Sequence, residues 1–189
     1  MRQILRINVI GTSGSGKTTF GRELASTLQI PFIELDTIFW EPDWNEPDDS
    51  ELFPKLSAAL SGDSWVLDGN YSRTLDIKWE RVEAVIWLDF SIPRTVDQAV
   101  KRAVSRIISQ EELWPGTGNR ESLKKLFSRD SIVLWTIQTY FRRKKKILGY
   151  ISSEQYRSII FHRIRSPKQV RRFLQSAARD PGYVIKPSM

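Results

Sequence analysis

Short apolar runs alternate with helix-like segments along most of the chain. Runs rich in β-branched residues predict five strands, at residues 4–10, 30–35, 64–67, 84–88 and 158–162. Helices are predicted between and after them, at residues 18–28, 51–61, 93–110 and 166–178. Alternating strands and helices predict an α/β fold, in which a five-stranded parallel sheet carries helices on both faces.

Two segments interrupt this alternation. Residues 36–50 are acidic and broken by prolines, which predicts a loop or an irregular flap. Residues 122–148 are strongly basic and mostly helical in pattern. Because the chain has 189 residues and 40% hydrophobic content, we expect one domain, residues 1–189, with a single core.

The net charge of +7 is unevenly distributed along the chain. Residues 1–100 hold 9 Lys/Arg and 16 Asp/Glu, a balance of −7, whereas residues 101–189 hold 20 and 6, a balance of +14. A basic half of this size suits polyphosphate or nucleic acid, although a solvated helical face is the commoner reason for a charge run. Charge alone therefore leaves the partner open.

Composition also limits location and metal chemistry. No apolar run is long enough for a membrane span and no signal-peptide core follows Met1, so a cytoplasmic protein is expected. The chain has no cysteine and one histidine, His162. Any metal is therefore expected to have oxygen ligands.

The strongest chemical signal is the pattern Gly11-x-x-x-x-Gly16-Lys17-Thr18, between the first predicted strand and helix. Its glycines let backbone N–H groups face phosphate, and the following helix adds its positive dipole end. Lys17 would bridge the β- and γ-phosphates of ATP, while the Thr18 hydroxyl would ligate Mg²⁺. The predicted phosphate-binding residues are Gly11, Ser13, Gly14, Ser15, Gly16, Lys17, Thr18 and Thr19.

Further acidic candidates follow predicted strands. Ligands gather at the carboxyl ends of strands in open α/β sheets, and both Asp68 and Asp89 could complete a metal site there. Asp36 ends the second strand, where a carboxylate could accept the proton of an attacking hydroxyl. A helix cap or a turn residue is the alternative for Asp36.

Motifs beyond the loop carry a family resemblance. Leu67-Asp68-Gly69 followed by Arg73 resembles the third strand of the adenylate-kinase-like group of P-loop kinases, and Asp89-Phe90-Ser91-Ile92-Pro93 is similar to its fourth. The resemblance implies that Asp68 is the water-mediated partner of Mg²⁺. It leaves Asp89 as an outer partner of the site or a residue at the helix entry.

The same resemblance covers Arg102-x-x-x-Arg106, which lies on one face of a predicted helix. It implies that Arg102 lies against the adenine and that Arg106 reaches the phosphates, although a solvated basic face is the alternative. It also implies a mobile lid at about 111–146. The candidate phosphate contacts in this lid are Arg120, Arg142 and Arg143.

The acceptor side, a flap at about 36–63, has a composition of its own. Leu35-Asp36, Ile38-Phe39-Trp40 and Trp44 resemble the subgroup named DNA topology modulation proteins. Residues 36–65 contain eight carboxylates and one cation, Lys55, which disfavours a phosphorylated acceptor. Arg73, and less plausibly Arg22, could still reach such a phosphate. We therefore predict a neutral or cationic hydroxyl-bearing acceptor stacked on Trp40 or Trp44, with core packing as the alternative for both tryptophans.

The predicted function is transfer of the γ-phosphate of ATP to a small hydroxyl-bearing acceptor. The alternatives are a nucleoside monophosphate kinase, a nucleic-acid-associated ATPase affecting DNA topology, and a nucleotide-gated interaction protein without turnover. The second alternative rests on the basic residues Arg163, Arg165, Lys168, Arg171 and Arg172. The predicted catalytic residues are Lys17, Asp36, Asp68 and Arg106, and the predicted metal ligands are Thr18 and Asp68.

Overall fold

The computed structural model describes residues 4–121 and 132–187, and its centre is a five-stranded parallel sheet. The strands are β1 (Arg6–Gly11), β2 (Phe32–Glu34), β3 (Trp65–Asp68), β4 (Ala84–Leu88) and β5 (Ile160–Ile164). They lie in the order β2-β3-β1-β4-β5, and each neighbouring pair is parallel. The predicted α/β fold with a five-stranded parallel sheet is confirmed.

Seven α-helices accompany the sheet in the described part of the chain. They are α1 (Lys17–Leu28), α2 (Asp36–Phe39), α3 (Asp49–Ala59), α4 (Leu75–Trp79), α5 (Ile92–Ser109), α6 (Ile132–Ile151) and α7 (Pro167–Arg179). As expected, α7 begins at a Ser-Pro pair, and the Ser166 side chain accepts a hydrogen bond from the Gln169 backbone N–H.

The two faces of the sheet build two apolar clusters. Ile7 and Val9 of β1 pack on one face, together with residues of α1 and α7. Ile10 belongs to the opposite face, where residues of α3, α4 and α6 pack. Successive side chains of a strand point to opposite faces, so an apolar run such as β1 is buried on both sides.

The polar residue Asn8 is fully buried within β1 and satisfies its hydrogen bonds there. Its amide donates to the carbonyls of Leu67 and Gly69, at 3.0 Å each, and its oxygen accepts from the Trp79 indole at 2.9 Å. Since a buried amide is costly unless paired, these bonds fix the end of β3 beside β1.

Three details of the elements differ from the sequence prediction. Residues 36–39 form the one-turn helix α2 within the predicted loop, and α4 was not predicted. Strand β5 begins two residues later than expected and includes Arg163. This charged residue is accommodated because its guanidinium Nε donates to the Asp89 carboxylate at 2.8 Å.

The topology determines where a ligand can bind. Strand β1 lies between β3 and β4, so the loop after β1 emerges between the carboxyl ends of two neighbours. Residues 122–131 of the predicted lid lie outside the described residues. Within the described ranges, no helix is both long and apolar enough to cross a membrane.

Candidate nucleotide and acceptor site

The phosphate loop makes a tight turn between β1 and α1. Gly14 and Gly16 have φ values of 80° and 82°, a region that favours glycine. A Cβ on Gly14 would also come within 2.6 Å of the Thr95 carbonyl oxygen, so helix α5 packs directly on this turn. The Ser15 backbone N–H closes the turn on the Thr12 carbonyl at 3.1 Å. This is the backbone that a polyphosphate site requires.

Lys17 opens α1 and folds back over the loop. Its Nζ donates to the Thr12 carbonyl at 3.3 Å, a contact that phosphate oxygens could replace. Burial lowers the pKa of Lys17, whereas the carboxylates of Asp68 and Asp36 raise it. The charges of three of the four predicted catalytic residues, Lys17, Asp36 and Asp68, therefore interact at one place.

The predicted metal ligands Thr18 and Asp68 are in direct contact. The Thr18 hydroxyl donates to Asp68 Oδ2 at 2.5 Å. Among the described residues, the other carboxylate oxygen, Oδ1, is buried without a hydrogen-bond partner, and so is the Ser15 hydroxyl. Burial raises the pKa of Asp68, with Lys17 acting in the opposite direction. An oxygen site with an unsatisfied carboxylate fits Mg²⁺, which binds through one or two protein groups together with substrate phosphates.

Asp36 lies at the start of α2, after the end of β2. Its carboxylate accepts a hydrogen bond from the Tyr71 hydroxyl at 2.7 Å. Burial, followed by the charge of Asp36, raises the pKa of Tyr71, so this phenol remains a proton donor at neutral pH. The Tyr71 ring in turn stacks on Phe39, with centroids 3.7 Å apart. The acceptor-side carboxylate is therefore held in a defined orientation.

Of the two predicted arginines on α5, Arg102 contacts the phosphate loop. Its guanidinium donates to the Ser13 hydroxyl at 3.0 Å, and burial followed by the charge of Arg106 lowers its pKa. Arg106 lies one turn further along α5 and is half-buried. The structure thus brings Arg102 to the loop, and the charge of Arg106 acts on Arg102, while contact of Arg106 with phosphate stays a prediction.

Helix α6 supplies another arginine to the site. Asn70 follows β3, and with its amide oriented for complementary contacts it donates to the Gly11 carbonyl at 3.2 Å and accepts from Arg143 at 2.5 Å. Arg143 is half-buried, whereas the other two lid candidates, Arg120 and Arg142, are exposed. Arg143 is therefore the lid candidate that the structure joins to the phosphate loop.

The other arginines considered for an acceptor phosphate have acidic partners. Arg73 lies 3.5 Å from both Glu46 and Asp49. It also donates to the Pro47 carbonyl at 2.7 Å. Arg22 pairs with Glu34 at 2.7 Å. An acceptor phosphate would have to compete with these contacts.

Asp89, the second candidate for the metal site, has cationic partners of its own. Its side chain is only 4% exposed, and Lys144 lies 3.3 Å away in addition to the Arg163 contact. Asp89 therefore joins β4 to β5 and α6, whereas Asp68 contacts the phosphate loop.

The two tryptophans of the predicted flap pack against the segment that follows α5. The Trp40 and Trp44 ring centroids each lie 5.6 Å from that of Trp114. Asn119 completes the contact, since its amide donates to the Glu41 carbonyl at 2.8 Å and its oxygen accepts from the Trp44 backbone N–H at 3.0 Å. Both tryptophans are half-buried and belong to neither apolar cluster of the sheet, so these contacts lie outside the core.

Two residues of this site were not assigned a role from the sequence. Tyr71 and Asn70 directly follow the Asp68-Gly69 pair, and both point toward the phosphate-loop edge of the sheet. Their position after a strand end was a usable signal, because the carboxyl ends of parallel strands share one edge.

The fold and the phosphate loop together define a P-loop nucleotide-binding protein, and similarity to shikimate kinases indicates an ATP-dependent phosphotransferase. The family model for shikimate kinase matches residues 13–47, which contain Lys17, Thr18 and Asp36. A curated shikimate kinase from Enterococcus faecalis is 28% identical over 166 residues, which are 77% of this chain and 95% of that protein.

Solved structures show the same fold at low sequence identity. Shikimate kinase from Acinetobacter baumannii, in complex with shikimate, aligns with a TM-score of 0.58 at 15% identity, over 94% of this chain and 93% of that chain. A gluconokinase from Sinorhizobium meliloti 1021 aligns with a TM-score of 0.50 at 16% identity, over 97% and 98%. The solved structures show the fold, while the family model and the curated relative bear out the predicted P-loop kinase class and its reaction, phosphoryl transfer to a small hydroxyl-bearing acceptor.

Proposed function

We propose that Asp36 is the base that positions the acceptor hydroxyl for attack on the γ-phosphate of ATP. The observation that carries this proposal is the location of its carboxylate: it is held by the Tyr71 hydroxyl at 2.7 Å, and its charge acts on Lys17. A carboxylate facing the phosphate-binding lysine can contact both the acceptor and the reacting phosphoryl group.

On the ATP side, Lys17 would move from the Thr12 carbonyl to the β- and γ-phosphates, and the loop N–H groups would hold the remaining oxygens. Arg102 would lie at the nucleotide through its contact with Ser13. Thr18 and Asp68 would hold Mg²⁺, which when bound neutralises phosphate charge. Arg143 approaches the phosphate loop through Asn70, and Arg106 would reach the phosphates from α5.

In the proposed step, the acceptor oxygen forms a bond to the γ-phosphorus as the bond to the bridging oxygen of ADP breaks. The hydroxyl proton passes to the Asp36 carboxylate. Tyr71 keeps that carboxylate oriented and remains protonated, because its pKa is raised. Such transfers depend mainly on positioning and charge stabilisation, which these residues supply.

The ion pairs of the acceptor side favour a small polyhydroxylated acceptor over a nucleoside monophosphate. Arg73, the nearest candidate for an acceptor phosphate, interacts with Glu46 and Asp49 and lies 4.8 Å above the Phe39 ring. A phosphate dianion would enter beside these carboxylates and be repelled. Shikimate and gluconate, after the names of the similar proteins, are the first acceptors to test; each carries one negative charge, less than a phosphate dianion but more than the neutral or cationic acceptor predicted from the sequence.

The test is a screen of polyols, hydroxy acids and nucleosides for acceptor-dependent release of ADP. With a productive acceptor, we expect Asp36→Asn to lower turnover by roughly 10²- to 10⁴-fold, with ATP affinity nearly unchanged. Acceptor-independent ATP hydrolysis should persist, since it needs no such base. The exposed Asp63→Asn is the matched control. Full turnover in Asp36→Asn, or activity only with nucleoside monophosphates, would contradict the proposal.

Membership of the subgroup named DNA topology modulation proteins stays a prediction that rests on residues 35–44. A nucleic-acid role would use the exposed residues Lys168, Arg171 and Arg172 of α7. These residues lie on a surface helix, where basic side chains are commonly only solvated. We therefore keep this role as the alternative to be tested.

A further inference from the structure

A small cavity lies between α4 and α6, beside the residues that follow β3. Its volume is about 60 Å³, enough for several water-sized atoms and so for a phosphate or carboxylate group. Apolar side chains of both helices form part of its wall. The polar lining residues are Asn70, Ser72, Lys78, Arg143 and Lys146.

Lys78 is the unusual member of this lining, because it is a lysine with only 1% exposure. Its Nζ donates to the Tyr71 carbonyl at 2.9 Å, which uses one of the three donors of an ammonium group. Lysine is almost never fully buried unless it is paired. Within the described part of the chain, the cavity is lined by no aspartate or glutamate that could pair with it.

Two more cations are held at the same cavity. The Lys146 ammonium donates to the Ser72 hydroxyl at 2.8 Å and lies 5.9 Å from the centre of the Tyr150 ring. Arg143 is held by the Asn70 amide oxygen. Burial, followed by the charges of Lys146 and Arg143, lowers the pKa of Lys78 to about 7. The charges of Lys146 and Arg143 therefore add to the cost of charging Lys78, and a bound anion would offset that cost.

We propose that this cavity is a second oxyanion site, distinct from the phosphate loop, which binds a phosphate or carboxylate group between Lys78, Arg143 and Lys146. The donors line a partly open space of matching size, and a bound anion would supply a counter-charge for the buried Lys78. Asn70 contacts both Arg143 and the Gly11 carbonyl, so an anion bound at the cavity would affect the contacts at the start of the phosphate loop. The site does not depend on the identity of the phosphate acceptor.

The test is titration of inorganic phosphate into the full-length protein by calorimetry, at constant ionic strength and with saturating ADP to occupy the phosphate loop. We expect saturable binding in the wild type, absent in Lys78→Met, and about tenfold weaker in Lys146→Gln, because one charged hydrogen bond is lost. Lys145→Gln is the matched control, since its exposed side chain is adjacent in α6 and does not line the cavity.

A parallel acetate titration distinguishes a carboxylate, as carried by a metabolite, from free phosphate. Thermal unfolding gives a second readout: phosphate should raise the midpoint of the wild type and leave that of Lys78→Met unchanged. If Lys78 has only a structural role, the variant should unfold at a lower temperature and keep its response to phosphate. That result, failure of both anions to bind, or equal effects of Lys145→Gln and Lys146→Gln would overturn the proposal.

Discussion

Lys17 and Asp68 are held in surroundings that disfavour the charge each must carry. Burial lowers the pKa of Lys17 and raises that of Asp68. Each partly compensates the other, and the remaining cost would be offset by phosphate at the lysine and Mg²⁺ at the carboxylate. Contacts of Lys17 with phosphate and of Asp68 with Mg²⁺ therefore replace the hydration that each charged group loses when the chain folds.

The first prediction concerns Lys17→Ala. Because the Lys17 amine contacts only a loop carbonyl among the described residues, its removal should leave the fold intact. Loss of a charge-assisted contact to phosphate should weaken ATP binding by about 10²-fold. Isothermal titration with ATP measures the affinity, and circular dichroism checks the fold. Wild-type affinity in a folded variant would refute the role of the loop.

Asp68→Asn should separate activity from stability. Turnover with Mg²⁺ should fall by at least about 10²-fold, since metal charge stabilisation is worth several kcal/mol, while ATP keeps its loop contacts. The folded-state pKa of Asp68 lies above its ordinary value of 3.8, so its ionisation opposes folding at neutral pH. The variant should therefore unfold at a higher temperature than the wild type at pH 7, and this difference should vanish as pH falls below about 4.

Asp89→Asn is the matched comparison for this prediction. It should lower stability by about 2 kcal/mol, because Arg163 and Lys144 lose a buried partner, although Arg163 is partly exposed. It should leave most Mg²⁺-dependent turnover. If Asp89→Asn is instead the more damaging change for turnover, the metal carboxylate has been assigned to the wrong strand end.

At the scale of elements, the 36–63 segment and the segment after α5 form one contact. Trp40, Trp44 and Trp114 pack together, and Asn119 is 3% exposed between the two backbones. Asp43 and Trp44 have φ values of 59° and 62°, which are unfavourable for these residue types. The hydrogen bond from Trp44 to Asn119 holds this strained turn in place.

Asn119→Ala should therefore loosen both segments. It leaves the Glu41 carbonyl and the Trp44 N–H without their partner, a local cost of about 1–3 kcal/mol. We expect trypsin to cleave the variant faster after the exposed Arg120, and a bound nonhydrolysable ATP analogue to slow this cleavage. Mass spectrometry of the fragments measures the rate. Asn45→Ala, at an exposed position of the same turn, is the control. Identical cleavage in all three proteins, with and without the analogue, would contradict a closing lid.

The sequence predicted what depends on local pattern. The Gly11 to Thr18 spacing determines the phosphate loop, and the apolar runs locate all five strands to within two residues at each end. It failed where distant residues meet: Arg163 belongs to β5 because Asp89 pairs with it, and the packing of Trp40 depends on Trp114. Helix α4 has five residues, too few for a helical period to be visible.

At the scale of the whole molecule, the charge asymmetry follows the order of the chain. The acidic half contains the acceptor-side segment, and the basic half contains the second half of α5 together with α6 and α7. Within the basic half, Arg102, Arg143 and Arg163 are held by specific partners, while the residues Lys168, Arg171 and Arg172 are exposed. Some basic residues of this half therefore stabilise the fold or contact the nucleotide site, and only the others are exposed to solvent.

The last prediction decides between a metabolite kinase and a nucleic-acid-associated ATPase. With a productive acceptor, ATP consumption should be unchanged by duplex DNA and by the double substitution Arg171→Gln and Arg172→Gln, because both side chains are exposed and neither has been assigned to the phosphate-loop site. DNA binding through the exposed α7 residues would be electrostatic and would fall steeply between about 50 and 200 mM salt. Fluorescence anisotropy with labelled duplex measures binding, and ADP release measures turnover. The opposite result would be ATP hydrolysis that DNA stimulates without any acceptor and that the double variant loses. This result would favour the ATPase, because it requires DNA bound at α7 to change the rate of ATP hydrolysis.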